Sequence, residues 1–496
     1  MAVIDLLIVG GGINGAGIAR DAAGRGLSVL VCEQGDLGGA TSSASSKMIH
    51  GGLRYLEYHE FRLVAEALAE REVMLKIAPH LARPLRFVMP HVPSLRPAWM
   101  IRLGLLLYDS LGRLSRRLTL QGSTAIDLSR SPMGQALQAA YKKGFVYSDV
   151  TVDDARLVLA NARAAHLLGA AICPRTRFLG ARRENGLWHA TLEDAGGRRE
   201  VFARALVNAA GPWVAEVIDA LPAGTGKKDG VQLVKGSHIV VPRLYQGDHA
   251  FILQLGDRRV VFLLPFEEQF TLIGTTDVRA EMPEATGIST EEILYLCRAA
   301  SRFTREEVKA KDIVWSYSGV RPLHDDGQNN PSAVSRDYTF VLDSTGKVPA
   351  LSVFGGKLTT YRRLAEAALA RLSPWFPKMG PAWTDTQPLP GGDFTTQKEL
   401  VARLQGNHPS LPPAWLERLA RRHGSLGERV IGDAKSVADL GRDFGGGLYE
   451  REVEYFIAEE WAQTLDDILW RRSKSGLFMT PLQQREFGDW LARRQG

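Results

Sequence analysis

Cysteine is scarce in this 496-residue chain: Cys32, Cys173 and Cys297 are odd in number and form no Cys-x-x-Cys pair. That argues against a disulfide framework or a structural zinc site, and a reducing compartment is the simpler setting. Long apolar runs are missing as well. None reaches the ~18 uninterrupted residues a spanning helix needs, so an integral membrane protein is not expected. Met1-Ala2-Val3-Ile4-Asp5 has neither a basic n-region nor a small-residue cleavage site, so no secretory leader is expected. There is little charge of one sign. Lys+Arg 61 against Asp+Glu 55 leaves +6, too mild to select a partner alone. No internal repeat or low-complexity tract stands out, and no basic motif interleaved with aromatics supports nucleic-acid binding.

What is present is ordinary globular material, 45% hydrophobic and 23% charged, in a length suited to two to four domains. Residues 5–9 read as a buried strand, Asn14 to Arg25 as a helix and Leu27 to Cys32 as a second strand. Together they form one β-α-β unit, the shape of a dinucleotide-binding start. Helix patterns follow at Glu60 to Ile77, closed by Pro79, and at Val152 to Leu168, with Thr151 or Asp153 as cap. From about 171 to 355 the texture turns to short β-like runs such as Ser237–Val241 and Phe270–Gly274, suggesting an inserted antiparallel sheet. Helical patterns return at 290–303 and 358–372, and Gln387-Pro-Leu-Pro-Gly-Gly-Asp393 reads as a linker. Residues 391–496 are mostly helical and hold 15 basic against 16 acidic residues, so the positive excess lies before them.

Four motifs carry chemistry. Gly10-Gly-Gly12-Ile-Asn-Gly15 follows a strand and opens a helix: Gly10 permits the turn, Gly12 lets backbone approach a pyrophosphate, and Gly15 allows close packing. Glu33, ending the second strand, suits ribose hydroxyls and argues against a 2′-phosphate; FAD and NAD are not separated by this motif. The second motif runs from Thr41 through Ser46 and Lys47 to His50, Gly51, Gly52, Arg54 and Tyr55, its hydroxyls and Lys suited to pyrophosphate oxygens. Third is Asn208-Ala-Ala-Gly211-Pro-Trp213, small residues at a strand end. Fourth is Phe354-Gly-Gly356-Lys357-Leu-Thr-Thr360, a second strand–Gly–helix junction whose helix start could stabilise negative charge.

In this order the motifs resemble the FAD-dependent aerobic glycerol-3-phosphate dehydrogenases of bacteria, most closely over Thr41–Leu56, Ser316–Leu323 and Leu351–Tyr361. The resemblance runs from Leu6 to past Trp383 and weakens in the helical C-terminal part. It implies an α/β fold: an FAD-binding, Rossmann-like domain of the D-amino-acid-oxidase type, an inserted antiparallel β-rich substrate domain and a helical C-terminal cap. In residue terms, 1–390 would hold the FAD-binding domain interleaved with the substrate domain (mainly 80–140 and 215–345), and 391–496 the cap. The cofactor residues implied are Gly10, Gly12, Asn14, Gly15, Glu33, Thr41, Ser42, Ser46, Lys47, Gly51, Gly52, Leu53, Arg177, Ala210, Gly211, Trp213, Gly356, Lys357, Leu358 and Thr359, with no metal. The implied reaction is oxidation of sn-glycerol 3-phosphate to dihydroxyacetone phosphate, with electrons leaving to a membrane quinone.

For substrate, the cations Arg54, Arg321, Arg336 and Lys357, with Tyr55, are the candidate phosphate site; Arg321 offers a bidentate fork. For each, the alternative is a surface charge or an ion pair with a neighbour such as Asp325, Asp326 or Asp337. For the base, His238 is slightly favoured over His50, and Arg321 is a third catalytic candidate. Two stretches, Trp99–Tyr108 with its flanking arginines and Tyr361–Trp375, read as interfacial helices for anionic lipid. The expected location is therefore cytoplasmic, peripherally bound to the inner face of the cytoplasmic membrane, with room for a homodimer. Rivals are a peroxide-forming glycerol-3-phosphate oxidase, an amine or amino-acid oxidase of the same fold, and a flavin-binding protein without turnover.

Overall fold

A computed structural model describes residues 3–115, 119–225, 231–257, 259–324 and 338–495. Two sheets share most of the chain. The first has β1 (Val3–Val9) near its centre, flanked by β2 (Val29–Glu33) on one side and Gly197–Asn208 on the other. Beyond these lie Ala171–Pro174 and Ala350–Phe354, and all five run parallel. Parallel strands buried on both faces need near-continuous apolar sequence. Leu6, Leu7 and Ile8 accordingly have no exposed surface. The helix α1 (Ile13–Gly24) packs on this sheet beside α4 (Asp154–Leu167), which Asp153 caps by accepting from the Arg156 N–H at 3.2 Å.

Strands 177–184 and 187–194, in the region read as inserted sheet, instead extend the first sheet through the antiparallel neighbour of 197–208. Among the described residues the second sheet has ten strands, including Ala82–Pro90, Lys143–Val152, Val231–Pro242, His249–Gln254, Phe270–Gly274 and Trp315–His324. It is mixed, not purely antiparallel: Arg86–Val88 pairs in parallel with His249–Phe251. That strand reaches its neighbour from far along the chain, so no hairpin dictates its direction.

The C-terminal helices, among them Gln397–Asn407, Pro413–His423 and Glu450–Glu460, enclose their own core around Trp415 and Phe456. Buried ion pairs dock this domain on the first: Arg472 on Asp36, Arg156 on Glu460 and Lys474 on Asp153. All three cysteines are free.

One expectation about lipid contact fails. The helix Tyr361–Leu372 packs on α1, with Leu364, Ala368, Leu369 and Leu372 fully buried. Its Arg362 is spent on Glu70 at 2.6 Å and on Glu366. The amphipathic pattern was real, but its apolar face serves the core. By contrast, α3 (Ala98–Ser115), packed on α2 (Phe61–Ile77), buries Ile101, Leu105 and Tyr108 and leaves Trp99 66% and Leu103 59% exposed, with Met100, Leu106 and Leu107 beside them. No described helix is long and apolar enough to cross a membrane.

Candidate functional site

The carboxyl ends of the parallel strands converge on one cavity of about 740 Å³, where open α/β sheets bind ligands. β1 ends in Val9 ahead of Gly10, β2 in Glu33, 197–208 in Asn208 ahead of Gly211, and 350–354 in Phe354 ahead of Gly355. Motifs separated by hundreds of residues thus meet because the sheet order places their strands side by side.

The glycine loop has the shape a dinucleotide requires. A Cβ on Gly10, whose φ is +110°, would lie 2.5 Å from the Ala209 carbonyl oxygen, and one on Gly15 would lie 1.9 Å from that of Gly10. Side chains are therefore excluded at both turn and packing point. Gly12 starts α1 without a side-chain cap, leaving the helix N-terminus to an anion. Ser42 Oγ accepts from the Ile13 N–H at 3.0 Å. Asn14 donates to the Gly355 carbonyl at 3.2 Å, tying the first and last motifs together, and its Oδ1 is buried without a described partner. The Glu33 carboxylate accepts from the Gly11 and Gly35 N–H groups, at 2.7 and 2.8 Å. Burial raises its pKa, and these bonds act against the rise. Lone pairs remain for ribose hydroxyls. These features fit the adenosine and pyrophosphate of FAD.

Of the residues singled out from sequence, Gly10, Gly12, Asn14, Glu33, Thr41, Ser42, Ser46, His50, Gly52, Leu53, Tyr55, Arg177, Ala210, Gly211, Trp213, Arg321, Gly356, Lys357, Leu358 and Thr359 border the cavity. Others stand behind it. Gly15 packs on Gly10, and Gly51 packs against Leu68, its N–H donating to Tyr108 Oη at 2.9 Å. Lys47 is buried, its Nζ 2.6 Å from Asp154 and 4.9 Å from the Tyr317 ring centre, so it holds the loop and does not face a ligand. Arg336 lies outside the described residues, and of Arg54 only the backbone is described.

His238 does not border the cavity. It is fully buried, stacked on Tyr317 with ring centres 4.9 Å apart, and its Nε2 lies 2.8 Å from Ser46 Oγ. Its pKa is held well below the ordinary imidazole value by burial first, then by Arg321 and Lys47. It is thus neutral at pH 7. His50 reaches the cavity directly, its backbone N–H donating to Thr359 Oγ1 at 3.3 Å.

Among the cations that line the cavity, Arg321 and Lys357 come from separate segments. Lys357 Nζ sits 3.8 Å over the Tyr55 ring. Arg321 is anchored by Asp277 Oδ1 at 2.7 Å, an acid not among those expected, and Gly236 makes room for it: a Cβ there would lie 2.4 Å from Arg321 Nη2. Asp277, Thr275 and the apolar wall of Phe87, Tyr147, Ile252 and Phe262 went unnoticed in sequence. The four apolar residues sit on strands of the second sheet, and Thr275 and Asp277 in the short link that follows Phe270–Gly274, none with a local signature.

Residues 5–362 match the family model described as FAD dependent oxidoreductase, and 382–485 match that described as C-terminal domain of alpha-glycerophosphate oxidase. A glycerol-3-phosphate dehydrogenase of Pseudomonas aeruginosa is 53% identical over 99% of this chain and 95% of its own. A D-erythritol 1-phosphate dehydrogenase of Brucella abortus is 49% identical over 98% and 97%. The structure of a Bacillus halodurans glycerol-3-phosphate dehydrogenase complexed with FAD matches at TM-score 0.76 and 24% identity, over 99% of this chain and 90% of that one. The chain belongs to the FAD-dependent oxidoreductase family, and FAD is its cofactor.

Proposed function

We propose that this enzyme oxidises sn-glycerol 3-phosphate to dihydroxyacetone phosphate and passes the electrons to a membrane quinone. The observation that carries the reading is the pair of cations, Arg321 and Lys357, on the same cavity as the cofactor glycines. The guanidinium fork, steadied by Asp277, grips two phosphate oxygens, and Lys357 supplies a point charge. FAD, which the Gly10–Gly15 loop, Glu33 and the Gly356–Thr359 junction would hold, would supply the hydride acceptor for C2. His50, the imidazole that borders the cavity, takes the hydroxyl proton as C2 is oxidised. His238 orients the Ser46 hydroxyl from behind. The apolar wall keeps water from the reacting carbon.

Anaerobic mixing of the purified holoenzyme with glycerol 3-phosphate bleaches the flavin; a flavin that stays oxidised overturns the reading. The Brucella relative motivates a second substrate, D-erythritol 1-phosphate, which carries the same phosphate on a four-carbon chain. Comparing kcat/KM for the two phosphates ranks them. Peroxide yield without quinone separates a dehydrogenase from an oxidase.

The quinone reading places the protein at the inner face of the cytoplasmic membrane. The support is α3, whose row of exposed Trp99, Met100, Leu103, Leu106 and Leu107 is the apolar face that an interfacial helix lays into lipid.

A further inference from the structure

Glu33, the last residue of β2, and Gln34, Gly35 and Asp36 after it line the cavity, and so does one residue of the C-terminal domain, Arg471. Its Nε donates to Asp36 Oδ2 and its Nη2 to Asp467 Oδ1, each at 2.5 Å. Nη1 has no partner among the described residues. Both carboxylates are shared, since Arg472 forks onto Asp36 and Arg175 reaches Asp467 Oδ2 at 2.6 Å. Three guanidiniums around two carboxylates hold Arg471 rigidly with one cationic N–H edge to spare. Thr464 adds its hydroxyl to Asp467 at 2.7 Å, fixing the start of the segment that carries Arg471.

We infer that Arg471 is a cofactor-binding residue: the helical C-terminal domain closes the adenosine end of the FAD site through it. Its bond to Asp36, three residues past Glu33, puts it on the ribose and adenine side of the site rather than at the pyrophosphate loop Gly10–Gly15. A guanidinium already paired with two carboxylates suits that neutral half, through a hydrogen bond or by lying flat on the base. The same contact couples docking to cofactor loading, because whatever FAD gains from the docked domain, the docked domain gains from FAD.

The test uses apoprotein prepared from the full-length holoenzyme, titrated with FAD and with FMN, which lacks adenosine. Arg471→Ala weakens FAD binding roughly 10-fold or more and leaves FMN unchanged; Arg471→Lys, which keeps the charge but not the fork, falls between. FAD also slows protease cleavage of the 387–393 linker in the wild type and not in Arg471→Ala. Unchanged FAD affinity overturns the assignment. So does an equal loss for FAD and FMN with a lower melting temperature of the apoprotein, since that marks general destabilisation.

Discussion

Ser46 Oγ and His238 Nε2 lie 2.8 Å apart, and of the two only Ser46 reaches the cavity. A neutral imidazole stacked on Tyr317 fixes a hydroxyl at the cavity surface. The two histidines therefore separate by experiment. His50→Gln lowers kcat by about 10²-fold or more at unchanged FAD content, the loss typical of a general base. His238→Gln costs about 10-fold, the scale of one misplaced hydrogen bond. Stopped-flow flavin reduction measures both, and a larger loss at His238 would return the base role to it.

Arg321→Ala raises KM for glycerol 3-phosphate by about 100-fold, as losing a charge-assisted fork should. Its effect on the far slower oxidation of unphosphorylated glycerol is small. Steady-state kinetics on both substrates decides, and equal losses on the two would remove the phosphate contact.

Glu452 sits in the C-terminal domain against Arg422 at 2.7 Å and His423 at 2.9 Å. Burial pushes its pKa up, but the Arg422 guanidinium and the hydrogen bond to His423, whose own pKa burial lowers, prevail and hold it at about 2. A depressed carboxylate stabilises the fold above its unfolded pKa, and that stability is lost as pH falls from about 4.5 towards 2. The shift corresponds to about 3 kcal/mol at most. Glu452→Gln should melt earlier than the wild type at pH 7 and lose the steep acid limb; a variant that keeps that limb in a thermal-melt series would refute the pairing.

If α3 meets lipid, replacing Trp99 and Leu103 by Ser lowers the affinity for anionic vesicles by 10-fold or more, since each apolar side chain carries roughly 1.5–3 kcal/mol. Flavin reduction by glycerol 3-phosphate in detergent-free buffer stays unchanged. Sedimentation with vesicles reads the first, and wild-type protein left in the supernatant at low salt would defeat the idea outright.

The parts legible in the sequence were those written in one stretch of chain. The strand, the Gly10–Gly15 loop, α1 and Glu33 all fall within about 30 residues, and each residue's task follows from its own backbone. Destinations were not legible. Lys47 looked like a phosphate ligand because its partner Asp154 is 107 residues away. The 361–372 helix showed its amphipathic period, which says that one face is apolar but not whether protein or lipid covers it. Asp277 and Arg471 reach the cavity through sheet order and domain docking, neither of which leaves a local trace.

β1 stands near the centre of its sheet, and one of its two neighbours is 197–208. Synthesis proceeds from the N-terminus at roughly 5–20 residues per second, so β1 waits on the order of 10–40 s for that partner to be made. During that interval one edge of an apolar strand stands bare beside the ribosome, open to any other strand that passes. The order of translation therefore makes this chain a natural client for a chaperone that holds β1 until residue 208 emerges, and slowing elongation between residues 33 and 197 should cost yield of folded protein.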